Sequence, residues 1–324
     1  MSSRQISRRT LLEAAAGTGA LALLGRNATE GAATTEDGTF RPSGRVLEYW
    51  IAAVNTTWDI APNGRDPVMN EPVAPAAHSF PAIVYRRFTP GWRRPWPNRA
   101  SGDNGGIPGP TIRARVGDRV LVHFKNLDAA NRFPHSMHFH AFRYAPGSDG
   151  AFIPQVSGRG GSVPYGKSFT YRLDAVADSY GVWPYHDHAQ AMHESIAAGL
   201  YGTIVITRPG DPRPDREFVV YFAHHGGFDT INGRAFIGNT PTFRARAGDL
   251  VQWDVLTIGD LFHTFHVHGH RWRRNGVPTD VELLGPASSL LVQFKEDFPG
   301  IWYYHCHVES HMRNGMIGLY NVDP

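Results

Sequence analysis

The sequence predicts an all-β protein made of two tandem, related domains. Three observations carry that prediction. Short β-rich runs dominate the chain and helix-favouring heptads are absent. Turn formers are frequent, with 35 Gly and 24 Pro among 324 residues. One phrase occurs twice, as Thr111-Ile112-Arg113-Ala114-Arg115-Val116-Gly117-Asp118 and as Thr242-Phe243-Arg244-Ala245-Arg246-Ala247-Gly248-Asp249. A strand-rich unit that repeats over this length suits Greek-key sandwiches or barrels.

The N-terminus reads Ser7-Arg8-Arg9-Thr10-Leu11-Leu12, followed by Ala, Gly, Thr and Leu alone from Ala14 to Leu24. That pattern predicts a twin-arginine export signal over residues 1–33, with a periplasmic or extracellular destination. The apolar run is too short for a membrane span, and no other segment is apolar enough. Removing residues 1–33 takes away four Arg and two Glu, so the formal charge of +3 falls to about +1. So weak a charge argues against nucleic acid as a partner. Hydrophobic content of 41% supports a globular core.

Residues 34–44 are polar and read as a disordered lead-in. Strands are expected at 48–54 and 82–85, where β-branched and aromatic residues cluster. Residues 87–109, rich in Pro, Gly, Trp and Arg, read as a long loop. Its Trp92-Arg93-Arg94-Pro95-Trp96 run is expected to pack rather than to stack on nucleic acid bases. In each copy of the repeated phrase, two alternating strands flank a Gly-Asp turn. Each copy precedes a His-x-His pair, by 20 residues from Asp118 to His138 and by 17 from Asp249 to His266. Each repeat closes with a second His-x-His and then Gly-Leu-Tyr, at 199–201 and 318–320. The run Arg208-Pro209-Gly210-Asp211-Pro212-Arg213-Pro214 reads as a linker, so the domains are expected at 45–207 and 215–324.

The four pairs are His138/His140, His186/His188, His266/His268 and His305/His307. Residues i and i+2 of a strand share a face, so each pair aims two imidazoles one way. Eight such ligands suit copper. The only cysteine, Cys306, lies between His305 and His307, so its sulfur faces the other side. There it can meet His263, His311 and Met316. A thiolate with imidazoles and a weak thioether suits a metal that changes oxidation state. A lone cysteine also excludes an intrachain disulfide framework.

The runs His263-x-x-His266-x-His268 and His305-Cys306-His307-x-x-x-His311-x-x-x-x-Met316 resemble the C-terminal copper motifs of multicopper oxidases. With the two earlier pairs, residues 45–324 resemble the small two-domain bacterial laccases. The resemblance implies two tandem cupredoxin-like Greek-key β-barrels and four coppers per active unit. It implies a type 1 copper at Cys306, His263 and His311, with Met316 axial, in the second domain only. It implies a type 2 copper at His138 and His266, and a type 3 pair at His140, His186, His188, His268, His305 and His307. It implies a homotrimer whose trinuclear site lies between subunits. The implied reaction couples one-electron oxidation of phenols or aromatic amines to reduction of dioxygen to water. Tyr144 and Asp149 match residues near the trinuclear site of such enzymes, as candidate electron and proton donors, and Asp280 is a similar candidate. Phe262 and Glu309 border the implied type 1 site.

The other histidines, His78, His123, His135, His193, His224, His225 and His270, are expected to be satisfied or surface residues. Three alternatives share the copper motifs. A copper nitrite reductase would carry its type 1 site in the first domain and lack the full eight-histidine set. A metal-ion oxidase, acting on cuprous or manganous ions, would share the same coppers; cuprous oxidases often carry methionine-rich inserts, whereas the six Met here are scattered. An electron carrier would bind copper without consuming oxygen.

Overall fold

The computed structural model describes residues 41–97, 106–156 and 158–324. The predicted export signal lies outside these residues, as does the lead-in up to residue 40. At the start of the described chain, the Gly44 N–H donates to the Gly117 carbonyl at 3.1 Å.

Four sheets carry the architecture. The first joins β1 (Val46–Asp59), β2 (Ser79–Phe88), β4 (Arg119–Leu127) and β6 (Ser168–Asp174) in the order β2-β1-β4-β6. The second joins β3 (Ile112–Arg115), β5 (His138–Phe139), β7 (Gly181–His186) and β8 (Tyr201–Thr207) in the order β3-β8-β7-β5. A short helix, α1 (Met192–Ala197), separates β7 from β8.

The remaining two sheets repeat this plan. One joins β9 (Arg216–His225), β10 (Phe228–Ile231), β12 (Leu250–Thr257) and β15 (Ser289–Lys295) in the order β10-β9-β12-β15. The other joins β11 (Thr242–Arg246), β13 (His263–Val267), β14 (Val281–Leu284), β16 (Gly300–Cys306) and β17 (Ile317–Asp323) in the order β11-β17-β16-β13-β14. Helix α2 (Glu309–Arg313) stands between β16 and β17 as α1 does between β7 and β8. The pairing senses also repeat. β1 runs parallel to β4 and β9 to β12, while β3 runs parallel to β8 and β11 to β17. This is the cupredoxin-like double barrel expected from the resemblance.

The duplicated phrase builds the same turn twice. Gly117 and Gly248 take φ of 97° and 95°, a region that suits glycine. Asp118 and Asp249 accept the N–H of Arg115 and Arg246, at 2.9 and 3.0 Å, which closes each turn.

Each sheet pair encloses its own core. Phe124, Tyr171, Tyr185 and Ile204 fill the first, and Trp253, Phe265, Tyr304 and Tyr320 the second. Burying one such side chain contributes about 1.5–3 kcal/mol, so these rings hold the strands in register. A third apolar cluster joins the halves, with Val182 and Val205 against Val219, Tyr221 and Leu256. At its edge Arg113 of β3 pairs with Glu217 of β9 at 2.5 Å. Of the Trp92–Trp96 run, Trp92 packs as expected, while residues 93–96 are exposed. Trp92 donates to the Ile51 carbonyl at 3.0 Å, and the Arg87 guanidinium sits 4.2 Å over the Trp96 ring.

Candidate metal centres

Alternation along β16 sets the geometry around Cys306. Tyr304 and Cys306 face the core, and Cys306 is 0% exposed. Three donors converge there. The Cys306 Sγ lies 3.8 Å from the Nδ1 of His263 and 3.8 Å from the Nδ1 of His311. The two imidazole nitrogens are 3.3 Å apart. One tetrahedral cation about 2.0–2.3 Å from each donor needs donor separations of about 3.3–3.8 Å, so the triangle suits a single metal ion. Met316 is fully buried beside it, and its carbonyl accepts the Cys306 N–H at 3.2 Å. Burial pushes the Cys306 thiol up, and burial followed by the nearby His311 lowers His263 to about 4. His263 is therefore a neutral ligand at neutral pH, and metal uptake by Cys306 must release a proton.

The other histidines form two separate groups. His138, His140 and His186 offer ligand nitrogens within 4.8 Å of one another, and so do His266, His268 and His305. His188 joins the first group, with its ring centroid 5.2 Å from that of His138. His307 joins the second at 5.3 Å from His266. Among the described residues, no ring contact or hydrogen bond links one group to the other.

Backbone carbonyls orient these rings. His138 Nδ1 donates to the Asp149 carbonyl and His266 Nδ1 to the Asp280 carbonyl, both at 2.7 Å. His186 Nδ1 donates to the Asp187 carbonyl and His305 Nδ1 to the Cys306 carbonyl, both at 2.9 Å. A carbonyl can only accept, so each Nδ1 carries the proton and each Nε2 keeps a free lone pair. Burial first, and then the neighbouring imidazoles, hold His140, His186 and His305 at about 4. Two groups of four imidazoles, several of them held neutral, fit copper.

The candidate side chains next to these groups fall into place by different means. Asp149 approaches His138 through its carboxylate at 3.7 Å as well as through its carbonyl. The Tyr144 ring lies 6.4 Å from the His138 ring, and burial together with Asp149 pushes its hydroxyl up to about 12. Asp280 touches its histidine through the backbone alone. Phe262 is 55% exposed and lies 6.5 Å from the His311 ring.

Two further histidines lie behind these groups, with partners that no spacing reveals. His270 donates through Nδ1 to the His268 carbonyl at 2.7 Å, and its Nε2 meets Glu296 at 3.1 Å. His135 lies fully inside the first domain, 2.7 Å from Asp187 and 3.1 Å from Asp128. Both are satisfied histidines, as expected. Their partners lie 26 and 52 residues away in sequence for Glu296 and Asp187, so no local pattern reveals them.

The Gly-Leu-Tyr phrases do not mark equivalent positions. Gly202 pairs with Tyr185, and Gly318 pairs with Tyr304, so the structural repeat equates Gly202 with Gly318. Gly199 instead corresponds to Gly315, at φ of 117° and 119°. The first repeat spends three more residues between its histidine pair and its last strand.

Comparison with known proteins follows the same two halves. Two family models, each described as multicopper oxidase, match residues 94–211 and 211–324. Ferroxidase HEPHL1 of Homo sapiens is 28% identical over 350 residues, which covers 85% of this chain and 29% of that protein. A probable nitrite reductase-hydroxylamine oxidoreductase fusion protein of Kuenenia stuttgartiensis is 30% identical over 252 residues, covering 70% of this chain and 29% of that protein. The chain thus spans less than a third of the length of these relatives. A solved structure described as a multicopper oxidase superposes with a TM-score of 0.67 at 25% identity, covering 90% of this chain and 92% of that one. With both halves matched and both histidine groups built on the matched strands, the chain belongs to the multicopper oxidase family.

Proposed function

We propose that this protein is a laccase-like oxidase that couples one-electron oxidation of phenols or aromatic amines to the four-electron reduction of dioxygen to water. One observation carries the reading. The chain carries two groups of four histidines, and the tripeptide His305-Cys306-His307 joins one of them to a single thiol site. Copper held by these donors supplies one-electron exchange at Cys306 and multi-electron chemistry at the histidine set.

The chain's own residues define the route. His311 is half-buried, and exposed Phe262 and Leu261 lie on the same side. An aromatic donor stacks there against apolar surface, close to the imidazole edge. Cys306 and its two neighbours form a covalent path of one residue in each direction. Asp149, on the solvent side of His138, holds and passes protons, and Tyr144 beside it serves as a reserve electron donor. Asp280 fixes the ring of His266.

The two histidine groups remain apart within one chain, and His268 and His307 are exposed. A second copy therefore completes each group. A head-to-tail contact of this kind closes into a ring, which supports a homotrimer with four coppers per active unit. Export by the twin-arginine route belongs to the same reading, because that route carries proteins that have already bound their metal.

A metal-ion oxidase is the second reading, favoured by relatives named as ferroxidases. Oxygen uptake by the copper-loaded protein separates the cases when phenols, ferrous or cuprous ions and nitrite are offered in turn. Uptake with phenols supports the proposal; uptake with metal ions alone, or turnover of nitrite, overturns it. Cys306→Ser should abolish the intense blue absorption of thiolate-bound copper. Its persistence would overturn the type 1 assignment.

A further inference from the structure

The first domain has a counterpart to the Cys306 site, and the backbone fixes it residue by residue. The Cys306 N–H donates to the Met316 carbonyl at 3.2 Å, and the Asp187 N–H donates to the Leu200 carbonyl at 3.0 Å. The Met316 N–H donates to the His311 carbonyl at 3.0 Å, and the Leu200 N–H to the Ser195 carbonyl at 2.9 Å. His135 stands three residues before His138, as His263 stands before His266. Where the second domain has Cys306, His263, His311 and Met316, the first has Asp187, His135, Ser195 and Leu200.

This counterpart is closed by charge and hydrogen bonds. His135 and Asp187 are 2% and 0% exposed, and Asp128 is 0% exposed behind them. Asp187 takes the Ser136 N–H at 2.8 Å, the Ser136 hydroxyl at 3.1 Å and the Ala189 N–H at 3.0 Å, with the Ser195 hydroxyl in reach. Two links lead from this knot to the outward histidines. The Ser136 hydroxyl oxygen accepts the His188 N–H at 3.0 Å, and the Asp187 carbonyl accepts the His186 Nδ1 proton at 2.9 Å.

We propose that the Asp128–His135–Asp187 network, with Ser136, is a positioning device for His186 and His188. It does within the first domain, without a metal, what the metal-bound thiolate does for His305 and His307 in the second. The inference rests on the reading of the eight histidines as one copper centre. Its residues touch no substrate and no reacting atom; they fix the strand from which two ligands project. Partners of this kind typically change metal affinity by about 10–100-fold when removed.

The test is copper titration of the full chain, followed by blue absorption and by the electron paramagnetic resonance of histidine-bound copper. The variants are Asp187→Asn and Ser136→Ala, the second small enough to leave the fold intact. Both should keep the blue absorption, because Cys306 lies in the other domain. Both should bind the histidine-held coppers at least about tenfold more weakly, with an altered resonance signal. Wild-type affinity and signal in both variants, beside a wild-type chain that takes up its full complement, overturns this inference alone. A wild-type chain that binds a single copper overturns the eight-histidine reading and this inference with it.

Discussion

Gly202 is where the packing makes its sharpest demand. It lies opposite Tyr185 on the neighbouring strand, and a Cβ added there would sit 2.4 Å from the Tyr185 ring and hydroxyl. Non-bonded carbons need about 3.5 Å, so Gly202→Ala must displace the ring by about 1 Å. Tyr185 has nowhere free to go. It is 0% exposed, with Tyr85 and Phe139 at centroid distances of 5.5 and 6.0 Å, and its hydroxyl donates to the Pro110 carbonyl at 2.7 Å. A shift of that size takes the hydrogen bond beyond useful length. Overpacking costs about 1–3 kcal/mol and the orphaned group about 1–2 kcal/mol, which predicts a loss of about 2–5 kcal/mol. At about 2–4 °C per kcal/mol, the melting temperature should fall by about 4–20 °C.

Gly318→Ala repeats the perturbation in the second domain, where the Cβ would lie 2.5 Å from the Tyr304 ring and the Tyr304 hydroxyl donates to Pro241 at 2.7 Å. Gly285→Ala is the control, since its Cβ would meet only the Ser288 hydroxyl at 3.6 Å. Thermal unfolding by near-ultraviolet circular dichroism on metal-free protein compares the three. If Gly202→Ala and Gly318→Ala melt within about 1 °C of the control, the packing argument fails.

Two further outcomes follow from buried charge. Burial, followed by Glu217, holds the Asp254 carboxyl well above the usual range, so the folded protein keeps a proton there that the unfolded chain releases. That group favours folding less as pH rises from about 4 towards its folded pKa. Asp254→Asn should therefore gain stability relative to wild type as pH rises through this window, and a difference in melting temperature that stays constant with pH refutes the assignment. His135→Leu leaves Asp187 and Asp128 buried without their cation, which should cost about 3–5 kcal/mol in urea unfolding; a cost below about 1 kcal/mol would show that the pair adds nothing.

Much of this architecture was legible in the sequence, for a definite reason. The Gly-Asp turns need a glycine at φ near +95° and an aspartate that closes on the preceding strand, so both copies keep the same residues at the same places. The His-x-His pairs announce themselves because strand alternation alone makes them share a face. The end of the repeat misled because matching letters ignores cross-strand partners. Gly-Leu-Tyr aligns by identity, yet the position that must be glycine is the one opposite the tyrosine, Gly202 in one repeat and Gly318 in the other. The pairing of His135 with Asp187 was hidden for the same physical cause, since Asp187 arrives from another strand.

The contrast between Asp187 and Cys306 also explains why one fold can carry an unequal pair of sites. A buried pocket lined by a histidine cannot stay empty of compensation, because unpaired polar groups in the interior cost too much. In the second domain, Cys306, His263 and His311 leave three donors facing one point, an arrangement that asks for a cation. In the first, replacing the thiol by a carboxylate turns the histidine from ligand to counter-ion. Burial lowers the His135 pKa and the hydrogen bonds and charges of Asp187 and Asp128 raise it overall; with a carboxylate at each ring nitrogen, at 2.7 and 3.1 Å, an imidazolium that donates to both fills the role of the cation. A proton can occupy that place but cannot exchange electrons reversibly with a donor. The substitution at residue 187 thus keeps the first domain's histidines in position while leaving electron entry, in the proposed reaction, to Cys306 alone.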